Sequence, residues 1–198
     1  MGANSGIYSL ASLASQPAAV VHAFEPTPEI ARRLRETAKL NCLDNLVVHE
    51  VGVSSRVGQA ILRRFRGDAG TNEGMNFICQ ETGESSAERV ETIRLDNFCD
   101  GHKIRHVDLL KLDVQGHEHS ALLGAEHLIT CGRVGTIFME LNWAHSGTNC
   151  PATESICRLD EAGYRFANPA DCTRWQKAGS WLRSVSDVIA RNTTSKTA

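Results

Sequence analysis

Apolar and polar residues follow one another along this chain in blocks that have the periods of strands and helices. Short runs rich in β-branched and aromatic residues predict strands at residues 20–25, 46–53, 59–65, 90–95, 107–114, 135–142, 164–167 and 185–190. Runs with apolar residues three or four positions apart predict helices after Gly6 and over 27–41, 117–131 and 151–163, with a short helical turn at 96–100. This alternation predicts an α/β fold with helices on both faces of a sheet.

The clearest helical pattern covers residues 27–41. Ile30, Leu34 and Ala38 recur at four-residue steps and mark the face that we expect to be buried. Thr27 stands where its side chain can cap the helix, and Pro28 suits the first helical position. Within 117–131, the apolar residues at 121, 125, 128 and 129 fall on one face in the same way.

The runs 107–114 and 135–142 are nearly continuous in apolar residues, so we expect strands that are covered on both faces. The segment 67–88 is instead polar and rich in glycine and serine, with Met75, Phe77 and Ile78 as its large apolar residues. It predicts a long loop, and loops of this length are usually functional or mobile. The polar tail after Arg191 is expected to fray.

Composition narrows the class of protein. The chain has 198 residues, of which 41% are hydrophobic and 22% charged, as expected of one soluble globular domain. Its 21 Lys and Arg against 23 Asp and Glu give a net charge of −2, which predicts no nucleic-acid partner. No apolar run approaches the roughly 20 residues that span a bilayer, so we expect no membrane partner.

Cysteine usage points to the cytoplasm. The number of cysteines is odd, and none forms a Cys-x-x-Cys pair: Cys42, Cys79, Cys99, Cys131, Cys150, Cys157 and Cys172. We interpret them as reduced thiols, and their spacing predicts neither a disulfide framework nor a zinc site. The N-terminus also lacks the pattern of a secretory signal.

Glycine and acidic residues concentrate at the predicted carboxyl ends of the strands, where open α/β sheets bind ligands. These positions are 2–6, Glu25, 52–54, 113–118 and 140–142. In the first, Gly2 and Gly6 allow the backbone to approach a ligand, and the helix that follows favours a negative group at its N-terminus. Glu25 follows at the end of the next strand, where a carboxylate can accept both ribose hydroxyls of an adenosine.

The alternative for these two segments is a tight turn followed by an exposed acid. The third glycine of the G-x-G-x-x-G fingerprint is absent, which counts against NAD or FAD.

Residues 113–118 (DVQGHE) lie where a buried strand passes into a helix. An acid at the end of an apolar strand is costly without a partner, so we favour a functional role for Asp113. Glu118 either converges on the same cleft or only matches the dipole at the start of the helix. His117 and His119 are two positions apart and face different ways on a helix, which argues against a two-histidine metal face.

Five segments, in this order and at this spacing, resemble the FkbM-type methyltransferases. They are GANSG at 2–6, HAFEPTPE at 22–29, VGVSS at 51–55, ETIRLDNF at 91–98 and LLKLDVQGHEHSALLGAEHL at 109–128. The resemblance covers roughly residues 2–142. It implies the Rossmann-like fold of class I methyltransferases, with a mostly parallel sheet whose last strand is antiparallel. It also implies methylation of hydroxyl oxygens of sugars or secondary metabolites.

The resemblance assigns seven residues to the cofactor S-adenosylmethionine: Gly2, Asn4, Gly6, Glu25, Val53, Ser54 and Asp113. The glycine loop would lie under the methionine part of the cofactor, Glu25 would hold the ribose, and residues 53–54 would border the adenine.

The same resemblance places Asp113 and Glu118 near the sulfonium and the acceptor, and we predict Asp113, His117 and Glu118 as the catalytic residues. His117 is a candidate general base because its ordinary pKa lies near ~6.5. Gln115 stands where the family most often has Glu, which removes one acid from the cleft.

The family's glycine loop follows a full strand that ends in an acid. Here the chain begins at Met1, directly before Gly2. That strand is central in the family and lies beside the strand that ends at Glu25. The resemblance therefore implies one methyltransferase domain over residues 1–198 that lacks its first strand, or a sheet that closes in another way.

The expected reaction is the in-line transfer of a methyl group from S-adenosylmethionine to the hydroxyl oxygen of a small-molecule acceptor. Such a displacement needs no metal and no covalent intermediate, but it needs the two reactants held in line. The segment 67–88 would cover the acceptor side. Two alternatives stay open: a nucleotide-dependent oxidoreductase of similar architecture, and a non-catalytic remnant of a methyltransferase domain.

Overall fold

The computed structural model describes residues 1–64, 66–67, 70–71, 77–79, 88–141 and 151–193, and it has a mixed α/β fold as predicted. The helices are α1 (Ile7–Ser15), α2 (Pro28–Leu40), α3 (Leu95–Gly101), α4 (Glu118–Leu123), α5 (Glu126–Thr130), α6 (Pro151–Glu161) and a 3₁₀ helix (Ser180–Ser184). The strands are β1 (Val21–Phe24), β2 (Leu46–His49), β3 (Gly52–Val53), β4 (Gly58–Arg63), β5 (Arg66–Gly67), β6 (Gly70–Thr71), β7 (Phe77–Cys79), β8 (Glu88–Ile93), β9 (Val107–Leu112), β10 (Val134–Glu140), β11 (Tyr164–Asn168), β12 (Asp171–Gln176) and β13 (Asp187–Asn192).

Strands β1 and β2 form a two-stranded parallel sheet in which Val21 pairs with Leu46 and Phe24 with His49. Helices α1 and α2 pack on one face of this sheet. The buried residues of that core are Leu13, Ala23, Leu34, Ala38 and Leu46.

Helix α2 confirms the predicted buried face, since Ile30, Leu34 and Ala38 are all buried. Pro28 takes the first helical position as predicted, and Thr27 occupies the N-cap. The prediction of a side-chain cap is nevertheless wrong, because the buried Thr27 hydroxyl has no hydrogen-bond partner among the described residues.

The opposite face of β1 and β2 carries a cluster of rings, because successive side chains of a strand point to opposite faces. Nδ1 of His22 lies 3.0 Å from Nε2 of His49, and the ring of Phe24 stacks on His49 with 4.9 Å between centroids. Helix α3 covers these rings with Phe98 and His102, which stack on each other at 4.0 Å. We call His22, His49 and His102 the histidine cluster.

A five-stranded sheet has the order β12-β11-β13-β10-β9. Strands β9 and β10 are parallel, with Leu112 opposite Met139, and β13 is antiparallel to both of its neighbours, as the resemblance implies for the last strand. The prediction that this strand is buried on both faces is wrong for the first half of β9. This strand forms the edge of its sheet, and Leu109 keeps 54% of its surface exposed.

A four-stranded sheet, β3-β8-β4-β7, corrects two predictions. The expected single strand 46–53 is divided, because β2 pairs with β1 while β3 pairs with β8. The expected loop 67–88 contains β6 and β7 and the first residue of β8, and β7 pairs with β4. Residues 68–69, 72–76 and 80–87 of that expected loop, with Met75, lie outside the described residues.

The single helix expected over 117–131 is two helices, α4 and α5. The Asp96 carboxylate accepts the N–H groups of His127 at 3.3 Å and Leu128 at 3.1 Å, so the first turn of α5 is anchored to α3. The predicted buried face at 121, 125, 128 and 129 is confirmed.

Residues 1–3 bridge the two parallel pairs of strands at one end. The Met1 α-amino group donates to the carbonyl of Lys111 at 2.7 Å, and the Ala3 N–H donates to the carbonyl of Phe24 at 3.1 Å. The Met1 amine is buried, and this burial lowers its pKa to about 5. Within the described ranges β1 and β9 do not pair with each other and belong to separate sheets.

None of the helices in the described part of the chain combines the length and the apolar character needed to cross a bilayer.

Candidate functional site

A cleft that is partly open to solvent lies at the carboxyl ends of β1, β3 and β9. Five of the residues predicted from the sequence line it: Gly2, Asn4, Glu25, Val53 and Asp113. The other four predicted residues lie outside its lining: Gly6, Ser54, His117 and Glu118. The topology thus brings together residues from four separate segments of the chain at one edge.

The loop 2–6 takes left-handed backbone angles at three positions, with φ of 68° at Gly2, 47° at Asn4 and 84° at Gly6. At Gly2 a Cβ atom would lie 1.8 Å from the carbonyl oxygen of Asp113, and at Gly6 it would lie 2.3 Å from Cδ1 of Leu34. Gly2 therefore allows the loop to approach β9, and Gly6 allows it to pack on α2.

The Glu25 carboxylate connects this loop to the start of α2. It is buried, with 5% of its surface exposed, and its Oε2 accepts the Asn4 N–H at 2.9 Å while its Oε1 accepts the Thr27 N–H at 3.0 Å. Each oxygen keeps a second lone pair, and the side chain lines the cleft. Glu25 is thus held in place and can still accept hydrogen bonds from a ligand.

Asp113 is held by side chains on both of its oxygens. Lys111 Nζ lies 2.8 Å from Oδ2, and Gln115 Nε2 donates to Oδ1 at 2.9 Å. The Lys111 ammonium also lies 4.1 Å from the centroid of the Tyr8 ring. The negative charge at the floor of the cleft is therefore balanced and fixed in position.

The turn after Asp113 is strained, because Gln115 has a φ of 53° and is not a glycine. Glu118 stabilises this turn: its Oε1 accepts the N–H groups of Val114 at 2.9 Å and Gly116 at 3.1 Å. Glu118 is buried, with 6% of its surface exposed. Its carboxylate therefore fixes the backbone that presents Gln115 to the cleft.

His117 and His119 point in different directions, as their spacing predicts. Nε2 of His117 lies 3.0 Å from the Ser54 hydroxyl, which connects the start of α4 to the end of β3. Burial lowers the pKa of His117 below its ordinary value. Nδ1 of His119 lies 3.0 Å from the hydroxyl of Ser155 on α6.

Glu140, at the end of β10, received no role from the sequence. It lines a second, small cleft between α4, β10 and α6, together with Glu118, His119 and Ser155. Burial raises its pKa, and the nearby carboxylates of Asp113 and Glu118 raise it further. The sequence did contain a signal for Glu140, because it is an acid at the end of an apolar strand. The same argument singled out Asp113.

The described ranges contain no group of three or more His, Cys, Asp and Glu side chains placed to hold a metal ion. The described cysteines Cys42, Cys99, Cys131, Cys157 and Cys172 carry free thiols.

Comparisons with known proteins agree with the resemblance noted in the sequence. The family model described as "Methyltransferase FkbM domain" matches residues 1–166. The "2-O-methyltransferase NoeI" of Sinorhizobium fredii (strain NBRC 101917 / NGR234) is 30% identical over 141 residues, which cover 66% of this chain and 57% of the relative. The "AMB antimetabolite synthetase AmbE" of Pseudomonas aeruginosa is 26% identical over 190 residues, which cover 80% of this chain and 9% of that protein.

No solved structure matches the chain significantly. The chain spans just over half the length of NoeI and a small part of AmbE. The family match nevertheless extends from the glycine loop through both clefts to β11. This chain therefore belongs to the FkbM methyltransferase domain family.

Proposed function

We propose that this chain is an S-adenosylmethionine-dependent methyltransferase that methylates a hydroxyl oxygen of a sugar or secondary metabolite. The main support for this proposal is the cleft at the strand ends, where a buried Glu25, held by two backbone N–H groups, faces the glycine loop. Membership of the FkbM family supports methyl transfer, and the similarity to NoeI, a 2-O-methyltransferase, supports an oxygen acceptor.

The residues of the first cleft fit the cofactor. Glu25 offers lone pairs to the two ribose hydroxyls, and Val53 offers an apolar surface to the adenine. Gly2 and Asn4 line the side of the cleft that we assign to the methionine part, and Asp113 places a carboxylate on the side where the positive sulfonium would lie. Ser54 and Gly6 lie outside the lining of this cleft: Ser54 contacts His117, and Gly6 packs closely on Leu34.

The fold that we propose is one Rossmann-like methyltransferase domain over residues 1–198. The parallel pairs β1–β2 and β9–β10 and the antiparallel β13 support it. In this arrangement residues 1–3 take the end of the strand that the family places between β1 and β9.

The chemistry is an in-line displacement, for which the cofactor supplies an electrophilic methyl group. The protein has to hold the acceptor oxygen and the methyl group in line, and positioning of this kind contributes about 7–11 kcal/mol to lowering the barrier. The fixed carboxylates of Glu25 and Asp113 do the positioning at the first cleft.

Calorimetry with S-adenosylmethionine tests the proposal at Glu25. We expect the wild type to bind S-adenosylmethionine and not NAD, and Glu25→Ala to lose about 1.5–3 kcal/mol of binding free energy because a charged hydrogen-bond acceptor is removed. Glu25→Gln keeps one carbonyl oxygen for the backbone donors and should show a smaller loss.

The matched control is Glu36→Ala, which removes an exposed acid from the far side of α2, where it pairs with Arg32. It should bind as the wild type does. Preferential binding of NAD by the wild type would favour the oxidoreductase, and equal binding by Glu25→Ala would remove Glu25 from the site.

A further inference from the structure

The two clefts adjoin at three connected side chains. Gln115 Nε2 donates to Asp113 Oδ1 at 2.9 Å and lies 3.4 Å from Glu140 Oε2. Asp113 and Gln115 line the first cleft, whereas Glu140 lines the second. Leu112 pairs with Met139 in the parallel β9–β10 ladder, so Asp113 and Glu140 follow side by side at the same edge of the sheet. Molecules in the two clefts would therefore meet at this point.

Of the carboxylates at this junction, Glu140 has the fewest hydrogen-bond and ion-pair partners among the described residues. Both oxygens of Asp113 have partners at 2.8 and 2.9 Å, and one oxygen of Glu118 already accepts two backbone N–H groups. Glu140 has only the 3.4 Å contact with Gln115, and no ion pair to it occurs among the described residues. His117 lines neither cleft and is turned toward Ser54.

The electrostatic surroundings make Glu140 a stronger base than an ordinary carboxylate. Burial raises its pKa first, and Asp113, Glu118 and Asp187 raise it further, while the Lys111 ammonium opposes them. Lys111 is paired with Asp113, which limits its effect on Glu140.

The second cleft is lined by side chains of the kinds that hydrogen-bond to hydroxyl groups. Ser155 is buried, and its hydroxyl lies 3.0 Å from Nδ1 of His119 and donates to the carbonyl of Pro151 at 2.9 Å. With Glu140, these groups offer a carboxylate, an imidazole and a hydroxyl within one cavity. Such groups hydrogen-bond to sugar hydroxyls as both donors and acceptors.

We infer that the second cleft holds the hydroxyl acceptor and that Glu140 takes the proton from the hydroxyl that is methylated. This inference rests on the proposed function. The hydroxyl proton passes to the Glu140 carboxylate while the oxygen–methyl bond forms and the sulfur–methyl bond breaks, with the sulfur keeping the electron pair. The products are a methyl ether, neutral S-adenosylhomocysteine and a protonated Glu140, which then loses its proton to solvent.

The first test needs no turnover. The carboxyl carbons of the glutamates are labelled with ¹³C and titrated by NMR, and the Glu140 signal is identified by its loss in Glu140→Gln. We expect the wild-type pKa to lie above the ordinary glutamate value and to fall in Asp113→Asn. An ordinary pKa that does not respond to Asp113→Asn overturns the inference.

The second test measures transfer of labelled methyl from S-adenosylmethionine to a panel of methyl glycosides of hexoses, deoxyhexoses and pentoses. Glu140→Gln should lower the rate by about 10²- to 10⁴-fold and leave cofactor affinity unchanged. The wild-type rate should rise with pH through the pKa of Glu140, whereas the rate of Glu140→Gln should not. Glu140→Asp keeps the carboxylate and should retain the rise at a lower rate.

The control is Glu126→Gln, which changes an exposed acid on α5 that pairs with Arg158. Wild-type rates in Glu140→Gln would overturn the role of Glu140 and leave the proposed function standing. Cofactor binding without transfer to any glycoside would overturn the sugar acceptor and the inference together. Failure of the wild type to bind S-adenosylmethionine would overturn the proposed function itself.

Discussion

The acidic edge of this protein and its histidine cluster accommodate polar side chains in opposite ways. At the acidic edge, formed by Glu25, Asp113, Glu118 and Glu140, the first three carboxylates receive hydrogen bonds from backbone N–H groups or from Lys111 and Gln115. In the histidine cluster, His22 and His49 contact each other and the rings of Phe24 and Phe98, and none of their partners in the described ranges is an acid.

This difference separates a region whose carboxylates are held by hydrogen bonds from one whose contribution to stability depends on pH. Carboxylates with fixed partners keep their positions and present their remaining lone pairs to the clefts. Half-buried imidazoles among other rings favour the neutral form, and burial, followed by the nearby His22, His102 and Arg35, lowers the pKa of His49 to about 4. The acidic edge therefore leaves acceptor positions open toward the clefts, and we expect the histidine cluster to limit stability in acid.

The largest stability effect is expected at Glu118. Glu118→Ala leaves the N–H groups of Val114 and Gly116 without their acceptor. We expect the free energy of unfolding in urea to fall by about 1–3 kcal/mol, because two partly buried donors lose their charged acceptor.

Glu118→Gln keeps one acceptor oxygen and should recover part of this loss. The comparison variant Glu126→Ala removes an exposed acid from the next helix and should cost under about 1 kcal/mol. A loss at position 118 no larger than that at position 126 would contradict the turn-stabilising role of Glu118.

The histidine cluster should give the next largest effect. The pKa values of His22 and His49 are lowered in the folded state, so the unfolded chain takes up protons first as the pH falls. Their contribution to stability is fully present above about pH 6.5 and is lost as the pH falls toward about 4. Between pH 7 and pH 5 we expect a loss of roughly 1–2 kcal/mol, because solvent screens part of the effect.

Urea unfolding of the wild type and His49→Phe at the two pH values measures this effect. The phenyl ring keeps the stacking on Phe24 but takes up no proton, so the loss should shrink. His106→Gln, on an exposed side chain outside the cluster, serves as the control. An equal loss in wild type and His49→Phe would show that the cluster does not set the acid limit.

The smallest effect is expected at Thr27, whose buried hydroxyl has no hydrogen-bond partner within the described part of the chain. Thr27→Val removes the cost of burying that hydroxyl and keeps the shape, so the free energy of unfolding should rise by up to about 1 kcal/mol. Thr130→Val removes a hydroxyl that donates to the carbonyl of Glu126 at 2.9 Å and should give no such rise. A decrease in Thr27→Val would mean that this hydroxyl has a stabilising partner after all.

Elements with strong local patterns could be predicted from the sequence. Helix α2 has a four-residue apolar period and Pro28 at its start, and β10 has a continuous apolar run, so both were placed within a few residues. Strand β12 was missed because its sequence DCTRWQ has no apolar alternation, and its pairing with β11 holds it in place. The division between β2 and β3 was missed because it depends on which distant strand each one pairs with.

The position of the candidate site was predictable from the acids and glycines at the strand ends, and five of the nine residues named from the sequence line the first cleft. The direction in which individual side chains point could not be predicted from the sequence. His117 turns to Ser54 and Glu118 to its own turn, because both lie at the start of α4, where backbone angles and not residue spacing set the direction. Glu140 became a candidate only once the β9–β10 register showed that it lies beside Asp113.

The most direct measurement of the central claim is a crystal structure of this chain with S-adenosylhomocysteine bound. We predict density for the ligand in the first cleft, with its ribose hydroxyls on the Glu25 carboxylate, its adenine against Val53 and its sulfur on the side of Asp113 that faces Gln115 and Glu140. A ligand bound elsewhere, or bound in this cleft without contact to Glu25, would contradict the account.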